Sequence, residues 1–280
     1  MEFFASGDPG SCYNTAMELP DLEILLDDDC LLAINKPAGL PTQAPRQYDS
    51  LERRVREALP GVTDPRGAYL GLPHRLDRAA SGVILLAKTP RAARQLSRQL
   101  ERRLVKKLYW ACLSGTVKPP EGTWTDYLRK LPDQAHVEVV HYTPTPAAEM
   151  SHLEAASLEV VTAENAGVDS CGAVQLSVLH YRTLGSSLHG SWLEVELVTG
   201  RTHQVRVQAA SRGYPLLGDA QYGSTVLFGD AETAGDAEES RQRPIALHAR
   251  SITFVHPTTQ AEVTVTAEVP GDWRSLGLVE

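Results

Sequence analysis

One stretch sets a single carboxylate among arginines: His74-Arg75-Leu76-Asp77-Arg78-Ala79-Ala80-Ser81-Gly82. It runs straight into an apolar segment, Gly82 to Ala87, that reads as a buried strand. A carboxylate at the mouth of a buried strand is held rigidly yet stays reachable from a cleft. Ionised, Asp77 can act as a nucleophile or as a base. The plainer alternative is a surface turn carrying a weak Asp–Arg pair. A second cluster is Gly200-Arg201-Thr202-His203-Gln204-Val205-Arg206, directly after an alternating strand, Ser191–Thr199. Arg201, His203, Gln204 and Arg206 offer donors in a short span, which suits an anionic ligand. Thr202 fits a helix cap, and a capped helix start with solvated charges is the alternative. A third candidate is a row of arginines, Arg91, Arg94, Arg98 and Arg102, about one helical turn apart and able to track phosphates. Beside it, Tyr109 in Lys106-Lys107-Leu108-Tyr109-Trp110 offers a stacking surface, or simply a core residue. His74, Asp77 and His203 lack metal-site spacing, and there is no Gly-x-Ser-x-Gly elbow, G-x-G-x-x-G or Walker sequence.

These residues need elements to hold them. Leu22–Leu26 and Cys30–Ile34 read as paired strands across Asp27-Asp28-Asp29. Asn35-Lys36-Pro37-Ala38-Gly39-Leu40 must be a loop. Asp49 to Leu59 reads as a helix, with Asp49 and Glu52 at capping-box spacing. Thr89-Pro90 opens a helix running to 107. Its Ala93, Leu96, Leu100 and Leu104 fall within about an 80° arc, with the arginines opposite. Lys107–Val117 reads as a strand, and Ser251–Val255 with Ala261–Ala267 as a terminal hairpin. Strands joined as hairpins and interleaved with helices predict a mixed α/β (α+β) domain with a largely antiparallel sheet. Residues 1–17 read as a flexible acidic tail and 18–280 as one catalytic domain, with a variable excursion at 132–172 and an acidic loop at 223–243.

Bulk charge argues against a polyanion partner: 27 Lys+Arg face 35 Asp+Glu in 280 residues. The distribution reverses that. Residues 1–35 hold eight acids and no Lys or Arg, and 226–240 holds five more acids with no base. The remaining body carries 27 basic against 22 acidic residues. No apolar run is long enough to span a bilayer, and the acidic N-terminus is no secretory signal. The four cysteines, Cys12, Cys30, Cys112 and Cys171, are scattered, which predicts reduced thiols and a cytoplasmic setting.

Together the segments resemble the RluA branch of the RNA pseudouridine synthases. Asn35 to Leu40 is similar to the family's first motif, and His74-Arg75-Leu76-Asp77 with Ser81-Gly82 to its second. Lys88-Thr89 through Lys107-Leu108-Tyr109 to Gly115 is similar to the helix and strand of its tyrosine motif. Thr199 to Val207 is nearly word for word the third motif, continued by Gly213 to Asp219, and Leu247-His248-Ala249, Phe254 and His256-Pro257 fit the close. Two positions depart: Ala80 stands where Thr is usual, and Gln208 where His is common. With so few residues before the first motif, the S4-type domain many relatives carry is not expected here.

The resemblance implies a pseudouridine synthase fold and conversion of a uridine in structured RNA, rRNA or tRNA, to pseudouridine. The C1′–N1 bond breaks, the uracil turns and C5 joins C1′. The base must first leave its stack. Asp77 is then the catalytic carboxylate, Arg206 its ion partner and Tyr109 the surface under the detached uracil. Val205 packs on the base. His74, Arg75, Arg201 and His203 are expected to contact substrate, and Arg94, Arg98 and Arg102 to bind RNA. A monomer with no metal, nucleotide or redox cofactor is expected. A non-catalytic RNA-binding protein on the same fold is the alternative, and a glycoside- or nucleoside-cleaving hydrolase a third.

Overall fold

A computed structural model describes residues 19–59, 69–131, 136–140, 160–161, 174–187, 189–229 and 243–277. The tail 1–17, Cys12, Cys171, most of the 132–172 excursion and residues 230–242 of the acidic loop lie outside them.

The strands, in chain order, are β1 Glu23–Asp27, β2 Leu31–Lys36, β3 Ser81–Ala87, β4 Lys106–Ser114, β5 Glu121–Lys130, β6 Val137–Val140, β7 Val160–Val161, β8 Val174–Ser187, β9 Gly190–Leu197, β10 Leu247–Val255 and β11 Glu262–Thr266. They form one sheet ordered β1-β2-β3-β10-β4-β9-β8-β5-β6, with β11 on β10 and β7 on β8. Every ladder is antiparallel except β3 with β10. The mixed, largely antiparallel fold expected from the hairpin pattern is therefore what forms. The 132–172 excursion is not wholly irregular, because β6 pairs along the edge of β5.

Alternation decides which face each side chain takes. On β4, Ala111 and Leu113 are buried in the main core with Leu193 and Val195 of β9, and Tyr109 packs against its edge. Cys112 and Trp110 point the other way, with Trp192, Phe228 and Trp273 in a smaller cluster. Trp110 and Trp192 meet edge-on at 4.9 Å. β3 is buried along its whole length, as a run without alternation predicts. Cys30 and Cys112 are buried free thiols. Among the described residues no helix is long and apolar enough to cross a membrane.

Among the described residues three α-helices complete the frame: α1 Leu51–Ala58, α2 Pro90–Glu101 and α3 Gln204–Ser211. Thr89 caps α2 as predicted, accepting from the Ala92 N–H at 3.2 Å. Other boundaries differ from the sequence reading. The cap of α1 is Ser50, whose hydroxyl accepts from the Arg53 N–H, while Asp49 is taken up by Arg54 at 2.6 Å. Helix α2 stops at Glu101, not 107. Arg103 adopts a left-handed conformation (φ 57°) and turns the chain toward β4. Leu104, placed by periodicity on the apolar arc, is 61% exposed beyond the helix end.

Gly82 fixes the crossing of β3 and β10. Its φ is +114°, and a Cβ there would lie 2.4 Å from the Ala249 carbonyl oxygen. Only glycine lets the two parallel backbones meet that closely. Gly82→Ala is expected to cost about 3 kcal/mol, measured as a lowered denaturant midpoint at unchanged slope.

Candidate active site

Gly82, Ala249, Tyr109 and Val195 lie side by side across β3, β10, β4 and β9. The Asp77 loop enters at the first of these strands, and the third motif leaves from the last. Both line one cleft of about 440 Å³, together with Tyr109. Two polar clusters more than 120 residues apart in the chain are thereby brought to one place.

The Asp77 loop is clamped from below by the segment after β2. Leu76 is bracketed by Thr42, whose Oγ1 donates to the Leu76 carbonyl at 2.8 Å and accepts from its N–H at 3.2 Å. The Gly39 N–H donates to the Arg78 carbonyl at 2.8 Å, and Arg78 Nε donates back to the Gly39 carbonyl at 2.9 Å. Lys36 is fully buried and spends its ammonium on carbonyls. It donates to Pro37 (2.8 Å), Leu40 (2.8 Å), Ala80 (2.7 Å) and Arg78 (3.4 Å). The Asn35–Leu40 segment thus acts as the anchor of the Asp77 loop. Burial pushes the Lys36 ammonium down to about 7, against the opposing pull of Asp77. The unfolded chain binds that proton up to the ordinary lysine value. The cost of burying the charge is therefore fully present below pH 7 and is relieved as pH rises above it.

Asp77 Oδ2 faces two groups from the third motif: Arg206 Nη1 at 3.6 Å and His203 Nε2 at 4.0 Å. The sequence reading pairs Arg206 with Asp77, and the structure corrects the order of partners. Arg206 makes a two-pronged bond to Asp219, Nε to Oδ2 at 2.7 Å and Nη2 to Oδ1 at 2.8 Å, and Nη2 also donates to Gln221 at 2.9 Å. Burial opposes the guanidinium charge, but Asp219 and then Asp77 outweigh it and hold it protonated. Asp219, 1% exposed, ends the Gly213–Asp219 stretch, and nothing in its sequence position marks it as this partner.

The start of α3 also differs from expectation. Its cap position is His203 in a left-handed conformation (φ 52°), with no side-chain cap bond, so Thr202 does not cap it. Gln204 organises the turn instead. Its Oε1 accepts from Thr199 Oγ1 at 2.8 Å and from the Arg201 N–H at 3.0 Å. Gln208, one of the two departures, is fully buried and donates to Asp126 at 2.6 Å, which Arg212 also grips at 2.8 Å. Ala80, the other, is buried on the cleft wall.

The remaining predicted residues divide. Arg75, Arg201, His203 and Val205 line the cleft. His74 does too, but its Nε2 accepts from the Leu85 N–H at 2.9 Å, so that nitrogen serves the sheet and not a substrate. Burial, and then Lys107, push His74 down to about 4. Arg94, Arg98 and Arg102 are exposed, and none lines the cleft. The cationic wall there is Arg103, Lys107 and Arg201, of which the sequence reading singled out only Arg201. Burial lowers the pKa of all three, and Arg201 is lowered further by Arg103 and Lys107 by Arg201. Like charges gathered in one half-buried cleft favour an anion between them. Tyr109 sits beside them, its phenol pushed well above the usual range by burial and then by Asp77.

A potential metal cluster lies elsewhere. Ligand atoms of Asp28, Cys30 and His256 fall within 4.8 Å of one another. However, His256 Nδ1 accepts from the Thr258 and Thr259 N–H groups (3.2 and 3.1 Å), so the ring proton sits on Nε2, facing Asp28 at 2.9 Å. A cation at Nε2 would drive that proton against two amide donors. The group is a clasp between the β1–β2 and β10–β11 turns.

Comparison with known proteins decides what such a cleft belongs to. The family model described as RNA pseudouridylate synthase matches residues 30–211. The chain belongs to the RNA pseudouridylate synthase family. An uncharacterised RNA pseudouridine synthase of Synechocystis sp. is 31% identical, over 93% of this chain and 69% of the relative. Ribosomal large subunit pseudouridine synthase D of Zymomonas mobilis is 30% identical, over 96% of this chain and 75% of its own length. Human RNA pseudouridylate synthase domain containing 4 shares the fold with a TM-score of 0.65 at 24% identity, covering 91% of this chain and 92% of that one. As a pseudouridine synthase of the RluA type, the protein is an isomerase that acts on uridine in RNA.

Proposed function

We propose that this pseudouridine synthase modifies uridine in large-subunit rRNA, with Asp77 as its catalytic carboxylate and residues 18–280 as one catalytic domain. One observation carries the reading: Asp77 stands in the cleft within 4.0 Å of both His203 and Arg206, on a loop tied down on both sides. Relatives named as ribosomal large subunit pseudouridine synthases support the choice of RNA.

The chemistry follows from the neighbours. Asp77 attacks the ribose carbon or removes a nearby proton, and Arg206 balances its charge in either case. Tyr109 stacks under the detached uracil as a neutral phenol, and Val205 closes the apolar side. Arg103, Lys107 and Arg201 take the phosphates that flank the flipped nucleotide. Arg75, exposed at the rim, holds a further phosphate or fills the space the base leaves. Incubating the protein with unmodified large-subunit rRNA transcript tests this: pseudouridine should form at defined positions. Free uracil without pseudouridine would instead indicate a hydrolase.

The exposed Arg94, Arg98 and Arg102 of α2 and its end serve the RNA body outside the cleft. Changing all three to Gln is expected to reduce the salt slope of RNA binding by about two while leaving turnover at saturating RNA unchanged. An unchanged slope would assign that face to solvent.

A further inference from the structure

Tyr222 lies in a short 3-10 turn, Ala220–Tyr222, just after Asp219. It touches both groups that face Asp77. Its hydroxyl is 2.9 Å from His203 Nδ1, and the Arg206 guanidinium lies over its ring at 4.9 Å. The hydroxyl oxygen also accepts from the Val137 N–H of β6 at 3.0 Å, and the ring stacks on His136 at 4.8 Å.

These contacts determine where the imidazole proton sits. The Tyr222 oxygen is already an acceptor for Val137, so its own proton is available to His203 Nδ1. His203 Nδ1 is then the acceptor, and its single proton is on Nε2, pointing at Asp77 Oδ2. The opposite tautomer would set a bare nitrogen lone pair against the carboxylate and leave the phenol proton without this acceptor. Burial first, and Arg206 and Arg75 among the charges, press His203 down to about 4 although Asp77 and Asp219 pull the other way. The ring is therefore neutral at neutral pH, and its tautomer is what matters.

We propose that Tyr222 is a positioning residue that locks His203 in the Nε2–H tautomer, so that a chain from the Val137 N–H through Tyr222 and His203 delivers a hydrogen-bond donor to Asp77. The proposal rests on the reading of Asp77 as catalytic. The chain donates a proton's positive end to the carboxylate without transferring it. The 4.0 Å gap closes to a hydrogen bond when substrate orders the cleft.

The test separates the two readings. In 15N-labelled protein without RNA, ring correlations of His203 should place the proton on Nε2, and in Tyr222→Phe a substantial Nδ1–H fraction should appear. On large-subunit rRNA transcript, Tyr222→Phe should lower kcat about tenfold with KM within about twofold, as for loss of one oriented hydrogen bond. His203→Asn should fall comparably, and adding Tyr222→Phe to it should cost nothing more. A wild-type proton on Nδ1, a Tyr222→Phe kcat within twofold of wild type, or additive losses would overturn the relay. An inactive wild-type enzyme would refute the functional reading instead, while the tautomer spectrum would still decide the relay.

Discussion

Replacing Asp77 with Asn is expected to lower pseudouridine formation by more than about 10⁴-fold, with RNA affinity unchanged or slightly raised. The amide keeps the volume of the carboxylate and can hold the loop, whose clamps from Lys36, Gly39 and Thr42 reach backbone atoms and the Arg78 side chain, not the Asp77 side chain. Only the negative charge is lost. A polyanion meets one fewer repelling group, so binding should not suffer. Turnover fails because an amide neither attacks a ribose carbon nor takes a proton at neutral pH. Filter binding alongside product mapping reads both effects. Retained turnover would end the assignment of Asp77. Lost binding would mean that the loop had collapsed, which a melting curve would reveal.

The second large effect is expected at Arg206. It is 6% exposed and Asp219 1%, so neither charge has water to fall back on. Arg206→Met should cost about 3–5 kcal/mol, because Asp219 is left buried and unpaired. For a chain of this size that corresponds to a Tm lower by about 5–9 °C. Arg206→Lys keeps the charge but cannot fork onto both Asp219 oxygens while reaching Gln221 and Asp77, so it should recover only part of the stability. The double change Arg206→Met with Asp219→Leu removes both charges and should regain most of the Tm, yet remain inactive. That outcome would separate the two duties of Arg206, as half of a buried pair and as the cation facing Asp77. An Arg206→Met Tm within a few degrees of wild type would contradict the buried-pair account.

The site was legible in the sequence where chemistry and chain position coincide. Asp77 precedes an apolar strand, and His203 and Arg206 follow an alternating one, so their placement at strand ends could be read directly. The antiparallel sheet was legible for the same reason, because hairpins are local. What could not be read was partner choice. Arg206 finds Asp219 thirteen residues on, since the chain after α3 folds back under it; no periodicity encodes that return. Lys36 was visible only as a letter in a loop. Its burial against four carbonyls depends on the approach of two segments more than forty residues apart in the chain. The cleft's cationic wall is hidden in the sequence for a related reason. The arginine row of α2 follows helical spacing and is visible in the sequence, whereas Arg103 reaches the cleft because the helix stops at Glu101 and the chain turns left-handed. Thr202 and Asp49 have the residue types of caps, but Gln204 and Ser50 sit where the backbone donors are. The charge count changes meaning in the same way. A net of −8 hides three half-buried cations gathered in one cleft.

The central claim, that this chain makes pseudouridine in ribosomal RNA through Asp77, is tested most directly in cells. Pseudouridines should be mapped across rRNA and tRNA in a strain lacking the protein, and again after complementation with wild type or with Asp77→Asn. The account predicts that defined uridines of large-subunit rRNA lose their modification, and that wild type restores them while Asp77→Asn does not. An unchanged rRNA map, or restoration by Asp77→Asn, would contradict it.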